Sequence, residues 1–508
     1  MLKENRILFT FVLSALVLAS GAFFFLGQNR IAEADLQKSY LTIDVSEMRQ
    51  MQKVADGEKR PLDLEIVRVE GDIAVVRATE DQITQISEHG HEEFHKCGGF
   101  IAHATEADAL ATIENFARAD NDQVLVDYTI DNAATVQPLI NGMVASNIAQ
   151  TIATLSAYNT RYYNSPMGLQ SATWIKNNWA TLAQGRSDVT VEFFTHTFQQ
   201  PSVILTIPGT SQPSEVVVFG AHQDSIRSGC VDSTTCQTLA APGADDDASG
   251  IASLTEVIRQ AMASNYRPAK TVKFIAFAGE ERGLLGSAAI ATKYKNEGVN
   301  VIGMMQLDMT NYRGSTATDI TLITDFTNAA QNQFLRNLIQ TYLPTLVTNN
   351  GTCGYGCSDH ASFNSRGFPA SFPHESAVNV SNPHIHKATD TLANSDTTGN
   401  HSVKFSKLAA AFMAELAKGS IATAIISGRI TNAQGQGIGT TVLLTLTGGN
   451  LTEPLFARAT PAGYYRFEAP AGHTYTVTPV PDDRTFTPEN RQVTLATETN
   501  FGIDFITQ

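Results

Sequence analysis

The sequence predicts an α/β chain: a mixed, mainly parallel sheet flanked by helices, preceded by an α+β segment and followed by an all-β sandwich. Three observations carry this. Between about residues 128 and 420, near-continuous apolar runs of strand length alternate with segments that are apolar at helical spacing. Parallel strands covered on both faces read this way. From about Ile425 the pattern changes to short alternating runs punctuated by Gly, Pro and Asn, such as "YYRFEAPAGHTYTVTPV", with turn signals at sandwich spacing. Before residue 128 lies a polar, acidic stretch with strand-like runs such as "LDLEIVRVEGDIAVVRATE".

Taken in order, the chain opens with the charged head "MLKENR" and the apolar run Ile7 to Gly27. A basic head before an apolar run is the layout of a secretory signal, and the run is also long enough to act as a membrane anchor. With Ala32-Glu33-Ala34 as a cleavage site, residues 1–34 are expected to be a cleaved signal and the rest of the chain exported. Residues 35–127 form the acidic segment. Across 128–420, "EVVVFGAHQDS", "TVKFIAFAGEE", "VNVIGMMQLDM" and "DITLIT" are read as strands in one series. "ASGIASLTEVIRQAMASN", "LLGSAAIATKYKNEG", "NAAQNQFLRNLIQTYL" and "HSVKFSKLAAAFMAELAKG" are the helices between and after them. Residues 424–508 make the sandwich.

The 508 residues carry a formal net charge of −15. With no Lys/Arg-rich run, this argues against a nucleic-acid partner. Membrane association is expected only if the N-terminal segment is retained. The five cysteines suit an exported chain: Cys353 with Cys357, and Cys230 with Cys236, flank short loops that a disulfide can close, which leaves Cys97 over.

In a doubly wound sheet, ligands bind at the carboxyl ends of strands. Three predicted strands end in "AHQDS", "GEE" and "QLDM", the run "PGADDDASG" leads into the first long helix, and "NPHIHKATD" lies further on. Imidazoles and carboxylates without thiolates suit a catalytic zinc or a similar divalent ion. Such an ion would also explain three adjacent aspartates, whose mutual repulsion a cation offsets.

From "HQDS" through "PGADDDASG", "AGEERGLLGS", "MQLDM" and "CGYGCSDH" to the final "IH", the chain from about Tyr128 to Lys418 resembles the M28-type co-catalytic zinc aminopeptidases. It is similar in particular to the secreted bacterial leucyl aminopeptidases. The resemblance implies two zinc ions, a zinc-peptidase fold, and hydrolysis of N-terminal residues, of the bulky Leu type, from peptides with a free amine. A monomer is the expected state. Carried over residue by residue, His222 and Asp308 would bind one zinc, Glu281 and His386 the other, and Asp246 would bridge both. Asp224, two residues after His222, would hydrogen-bond the imidazole's other nitrogen and fix its tautomer. Glu280 would be the general base for a water shared by the two metals. Tyr355, Phe372 and Met309 would line the substrate pocket, although His374, Val378 and Ser381 stand where relatives carry more aromatics. His384 is left out of the ligand set. Two other readings of the fold are a single-zinc glutaminyl cyclase and a non-catalytic surface binding module; the complete ligand set and Glu280 weigh against both.

The acidic segment resembles the propeptides of related exported aminopeptidases. Its "HEEFH", His91 to His95, matches a zinc motif formally, but Gly90 precedes it and "CGG" follows, so a helix of about two turns at most is expected, too little for a second site. The sandwich, on "SGRITNAQGQGIG", resembles carboxypeptidase regulatory-like, transthyretin-like modules, which implies an accessory role.

Overall fold

A computed structural model describes residues 38–93, 99–103, 105–118, 126–230, 233–314, 317–438, 442–449, 451, 454–480, 483–495 and 500–507. The expected signal, the last two residues of the "HEEFH" motif and Cys97 lie outside these. Among the described residues no helix is long and apolar enough to cross a membrane.

The N-terminal unit contains β1 (Ser39–Asp44), α1 (Val45–Gly57), β2 (Glu65–Glu70), β3 (Ile73–Ala78), α2 (Glu80–Glu93), β4 (Phe100–His103) and α3 (Glu106–Arg118). Its antiparallel sheet has the order β2-β3-β1-β4. Asp44 starts α1 by accepting from the amides of Ser46 and Glu47, which meets two of the donors a helix start leaves unpaired. Leu41, Ile43, Met48, Met51, Ile83 and Ile86 form a core of its own.

The central unit holds β5 (Thr190–Phe194), β6 (Ser202–Ile207), β7 (Gln212–His222), β8 (Lys270–Phe277), β9 (Asn300–Gln306), β10 (Ile320–Ile323), β11 (Thr348–Gly351), β12 (Ala370–Ser371) and β13 (Pro373–His374). Its main helices are α4 (Ala133–Asn141), α5 (Ala145–Ser156), α6 (Pro166–Leu182), α7 (Ala248–Ala263), α8 (Leu285–Asn296), α9 (Ala329–Tyr342) and α10 (Ser402–Leu416). The main sheet runs β12-β9-β7-β8-β6-β5. Its first four strands are parallel, while β6 and β5 are antiparallel additions. Alternation along β7 shows why both faces are covered. Val217, Phe219 and Ala221 pack with α5, α7 and α10, whereas Val216 and Val218 pack with Ile290, Ala291 and Phe363 on the opposite side. Phe219 and Phe274 stack with centroids 5.0 Å apart. Each such fully buried ring contributes about 1.5–3 kcal/mol from area alone.

"DITLIT" does not extend the main sheet. It is β10 of a separate three-stranded sheet, parallel to β11 and antiparallel to β13. The segment from Ala370 to His374 serves both sheets, pairing first with β9 and then with β10. The switch falls at Phe372, just before Pro373, which has no amide proton to continue a ladder.

After Ser420 the chain forms two four-stranded sheets between Thr423 and Thr507. Their shared core contains Ile426, Ile430, Leu444, Leu446, Tyr475, Val477 and Phe505.

Candidate metal centre

β8, β7 and β9 are neighbours, so their carboxyl ends bring His222, the turn Glu280–Arg282 and Asp308 to one rim. Consecutive strands leave β7 in opposite directions, β8 to one side and β9 to the other, and a crevice opens at such a reversal.

Asp246 lies at the centre. Its Oδ1 is 3.0 Å from His222 Nε2 and its Oδ2 is 2.9 Å from His386 Nε2. Asp308 Oδ1 stands 3.6 Å from the same His222 nitrogen, and Glu281 Oε2 is 3.2 Å from the His386 nitrogen. One carboxylate thus faces two imidazoles, each backed by a further carboxylate. All five side chains are buried. Burial disfavours a charged His222, but Asp308 and Glu280, with contacts to Asp224 and Asp246, hold its pKa well above the ordinary value. Burial acts to raise Asp246 as well; the two imidazoles outweigh it and keep that carboxyl far below the usual range.

The two neighbouring aspartates do different work. Asp247 accepts from the amides of His222, Gly250 and Met309, so it caps α7 and ties that cap to β7 and to the end of β9. Its oxygens also lie within ligand distance of His222 and Asp308, but those amide bonds occupy them. Asp245 accepts from the amide of Asn311 and the side chain of Asn382. Burial raises its carboxyl to about 6. The Asp246–Asp247 peptide is cis.

Asp224 Oδ1 stands 3.6 Å from His222 Nδ1. Both its oxygens also accept from backbone amides, Glu280 at 3.1 Å and Glu281 at 3.2 Å, so it supports the turn that carries the two glutamates. Glu280 is fully buried and neither of its oxygens has a hydrogen-bond partner. Burial pushes its carboxyl well up, Glu281, Asp359 and Asp308 push the same way, and His222 opposes them.

Met309 is buried with φ at +55°, its amide held by Asp247. Tyr355 and Phe372 are buried in a cluster with Ile323 and Cys357, against which Cys353 and Val378 pack. His374 meets Phe372 edge to face at 5.7 Å, and its Nδ1 is 3.0 Å from the Ser376 carbonyl oxygen. His384 turns away to Thr389. Both cysteine pairs are disulfides, with Cα atoms 4.8 Å apart for Cys230–Cys236 and 6.2 Å for Cys353–Cys357.

Three contributors escape sequence reasoning. Asp390 accepts from the amides of Asp245 and Asp246 and so fixes the turn that presents the central carboxylate. Fully buried Arg161 donates to the carbonyls of Pro242, Gly243 and Gln223 on the other side of that turn. Ser358 donates to Asp308 Oδ2 at 2.6 Å. The bonds of Asp390 and Arg161 run to main-chain atoms remote in sequence, which no residue pattern signals; Ser358, inside "CGYGCSDH", offered the one available cue.

The donor set fits divalent cations. Buried acceptors at Glu280 and at Asp308 Oδ1 lack hydrogen-bond partners, and the buried carboxylates outnumber the imidazoles. A buried charge without a partner costs several kcal/mol, roughly, which a bound dication offsets.

The model for peptidase family M28 matches residues 202–412. A probable leucine aminopeptidase of Arthroderma benhamiae is 41% identical over 293 residues, covering 56% of this chain and 75% of the relative. Leucine aminopeptidase 1 of Arthroderma otae is 40% identical over 305 residues, 57% and 79% of the two chains. Among solved structures, Legionella pneumophila LapB superposes with a TM-score of 0.63 at 27% identity, covering 75% of this chain and 100% of that one. The LapA aminopeptidase of the same organism gives 0.61 at 25% identity, covering 75% and 99%. With the strand-end constellation and relatives covered over three quarters of their length, this chain belongs to peptidase family M28.

Proposed function

We propose that this chain is an exported two-zinc aminopeptidase that removes N-terminal residues, preferably bulky and hydrophobic, from peptides. The observation that carries the reading is Asp246, whose two oxygens face His222 and His386, each backed by a second carboxylate. His222 and Asp308 hold one zinc in this reading, Glu281 and His386 the other, and Asp246 both. Zinc there supplies Lewis acidity, lowering the pKa of a water and polarising the substrate carbonyl. Glu280, with oxygens uncommitted to any hydrogen bond, takes the water's proton and passes it to the leaving amine. Asp224 keeps Glu280 in place through the amides it holds, and Met309, Tyr355 and Phe372 wall the first side chain. Cleavage of residues 1–34, and later of 35–127, accompanies export and maturation. The C-terminal sandwich is an accessory module.

The test is release of the N-terminal residue from paired unblocked and N-acetylated peptides, with and without a chelator. Cleavage of the unblocked set alone, lost on chelation, is expected. Cleavage of acetylated peptides, or chelator-resistant turnover, would overturn the reading.

A further inference from the structure

The N-terminal unit is fastened to the turn that bears Glu280 and Glu281. Ser87 Oγ donates to the Glu281 carbonyl at 2.9 Å, Arg282 donates to Thr84 Oγ1, and the Ala102 amide donates to the Gly283 carbonyl at 2.9 Å. Phe100 packs on Gly283, where an added Cβ would run into its ring. Ile101 joins Leu284, Ala288 and Ala361 in an apolar patch.

A further contact is polar and centres on His103 and Arg366. This buried imidazole lies between Thr42 Oγ1, 3.0 Å from Nε2, and Arg366 Nη2, 3.1 Å from Nδ1. A guanidinium can only donate, so Nδ1 must accept, and the ring proton is on Nε2, donated to Thr42. The docked geometry therefore requires a neutral imidazole. A second proton, on Nδ1, would point at a guanidinium and place two like charges about 3 Å apart in a buried site, which is costly.

The surroundings offer little relief. Arg366 also donates to Thr112, Thr292 and Ser365, all neutral hydroxyls, and among the described residues no carboxylate pairs with it. Thr42 and, across the strand pair, Tyr40 from β1 neighbour His103 itself; around its Arg366 partner stand Asp108 and Thr112 from α3, Thr292 from α8, and Ser365 from the loop after the helix His360–Asn364. Asp108 is the carboxylate acting on Arg366, and it is engaged by Thr105.

We propose that this face of the central unit is a docking surface for the N-terminal unit and that His103 is its acid-release latch: protonating His103 against Arg366 detaches the unit. Burial, followed by the Arg366 charge, holds His103 well below an ordinary histidine while docked. Arg366, lowered by burial to about 10, remains charged throughout. Undocked, the ring takes up its proton near pH 6.5, roughly the ordinary value. Protons then bind the undocked form alone. The undocking constant is flat above about pH 6.5 and rises up to about tenfold per unit below it, to roughly a hundredfold by pH 4.5. The consequence for turnover rests on the aminopeptidase reading of Glu280 and Glu281; the latch itself does not.

The experiment is amide hydrogen exchange on the full chain between pH 7.5 and 4.5, corrected for the intrinsic pH dependence of exchange. The segment around Ala102 reports directly, because its amide is bonded across the interface. In the wild type, exchange there should rise about fiftyfold from pH 6.5 to 4.5, roughly a hundredfold over the plateau at pH 7.5 and above, while α7 stays protected. His103→Gln, an uncharged acceptor and donor, should give a flat profile. Should it not fold, Arg366→Gln, which removes the facing charge, should give a clearly shallower slope. A flat wild type, or an undiminished slope in the folded variant, overturns the latch. Turnover of an unblocked peptide is followed in parallel. A slope in exchange without any change in turnover keeps the latch and overturns its link to the site.

Discussion

Two buried glutamates of the central unit invite comparison. Glu415, on α10, has no exposed surface, and its oxygens accept from the amides of Asp131 and Asn132 and from the Tyr342 hydroxyl. Glu280, at the end of β8, is equally buried, yet neither of its oxygens has a hydrogen-bond partner. Burial of a carboxylate costs the same in both places. In the helix layer the cost is offset inside the chain, by the two amides just before α4, the Tyr342 hydroxyl and the Lys418 ammonium; at the strand ends it is left to a partner from outside. The state of satisfaction, more than burial, separates a structural acid from a working one.

Substitutions can break this contrast, and the largest effect is expected at the rim. Glu280→Gln should keep zinc content and melting behaviour and lower kcat by about 10²–10⁴-fold, because it removes proton transfer without disturbing the donor set. Steady-state kinetics with metal analysis decides; a loss below tenfold would assign Glu280 to structure. Next comes Asp390→Asn. Its amide cannot accept from both Asp245 and Asp246, so the central carboxylate is less well aimed, and metal affinity should fall about 10–100-fold. Competition with a chelator measures this, and an unchanged dissociation constant would count against a positioning role for Asp390.

The helix-layer acid should respond in the opposite currency. Glu415→Gln turns one of its two acceptors into a donor facing the amide of Asp131 or Asn132 and removes the charge that Lys418 Nζ meets at 3.3 Å, and should cost about 1–3 kcal/mol of stability. Turnover per folded molecule should be unchanged. Tyr342→Phe removes only the hydroxyl and should cost about 0.5–1.5 kcal/mol. Denaturant titrations check both; lost turnover at full stability in either variant would erase the distinction.

The parts of the site that were legible in the sequence share a physical origin. His222, Glu280, Glu281 and Asp308 follow apolar strands directly, so the strand-end rule brings them together before any coordinate is known. The run of three aspartates was legible as a centre, with Asp246 as the one aimed at both imidazoles and its neighbours as supports, but not in what each neighbour supports. That Asp247 caps α7 and Asp245 secures Asn311 and Asn382 follows from main-chain geometry that the letters do not encode. Arg161 and Asp390 stayed hidden for the same reason. The fold departed from expectation at "DITLIT", where four apolar-rich letters are equally at home in either sheet. Pro373 decides the matter only once the neighbouring strands are in place.

The segment from Ala370 to His374, held by one sheet at its first residues and by another at its last, has an evolutionary consequence. The strands that end at His222, Glu280 and Asp308 belong to the large sheet; Ile323 of the small one packs with Phe372 in the cluster proposed above as the wall of the cleft. Drift in β10, β11 and their connections can therefore reshape that wall while the metal-facing strands stay fixed. Descendants of one hydrolytic apparatus are free to diverge in diet.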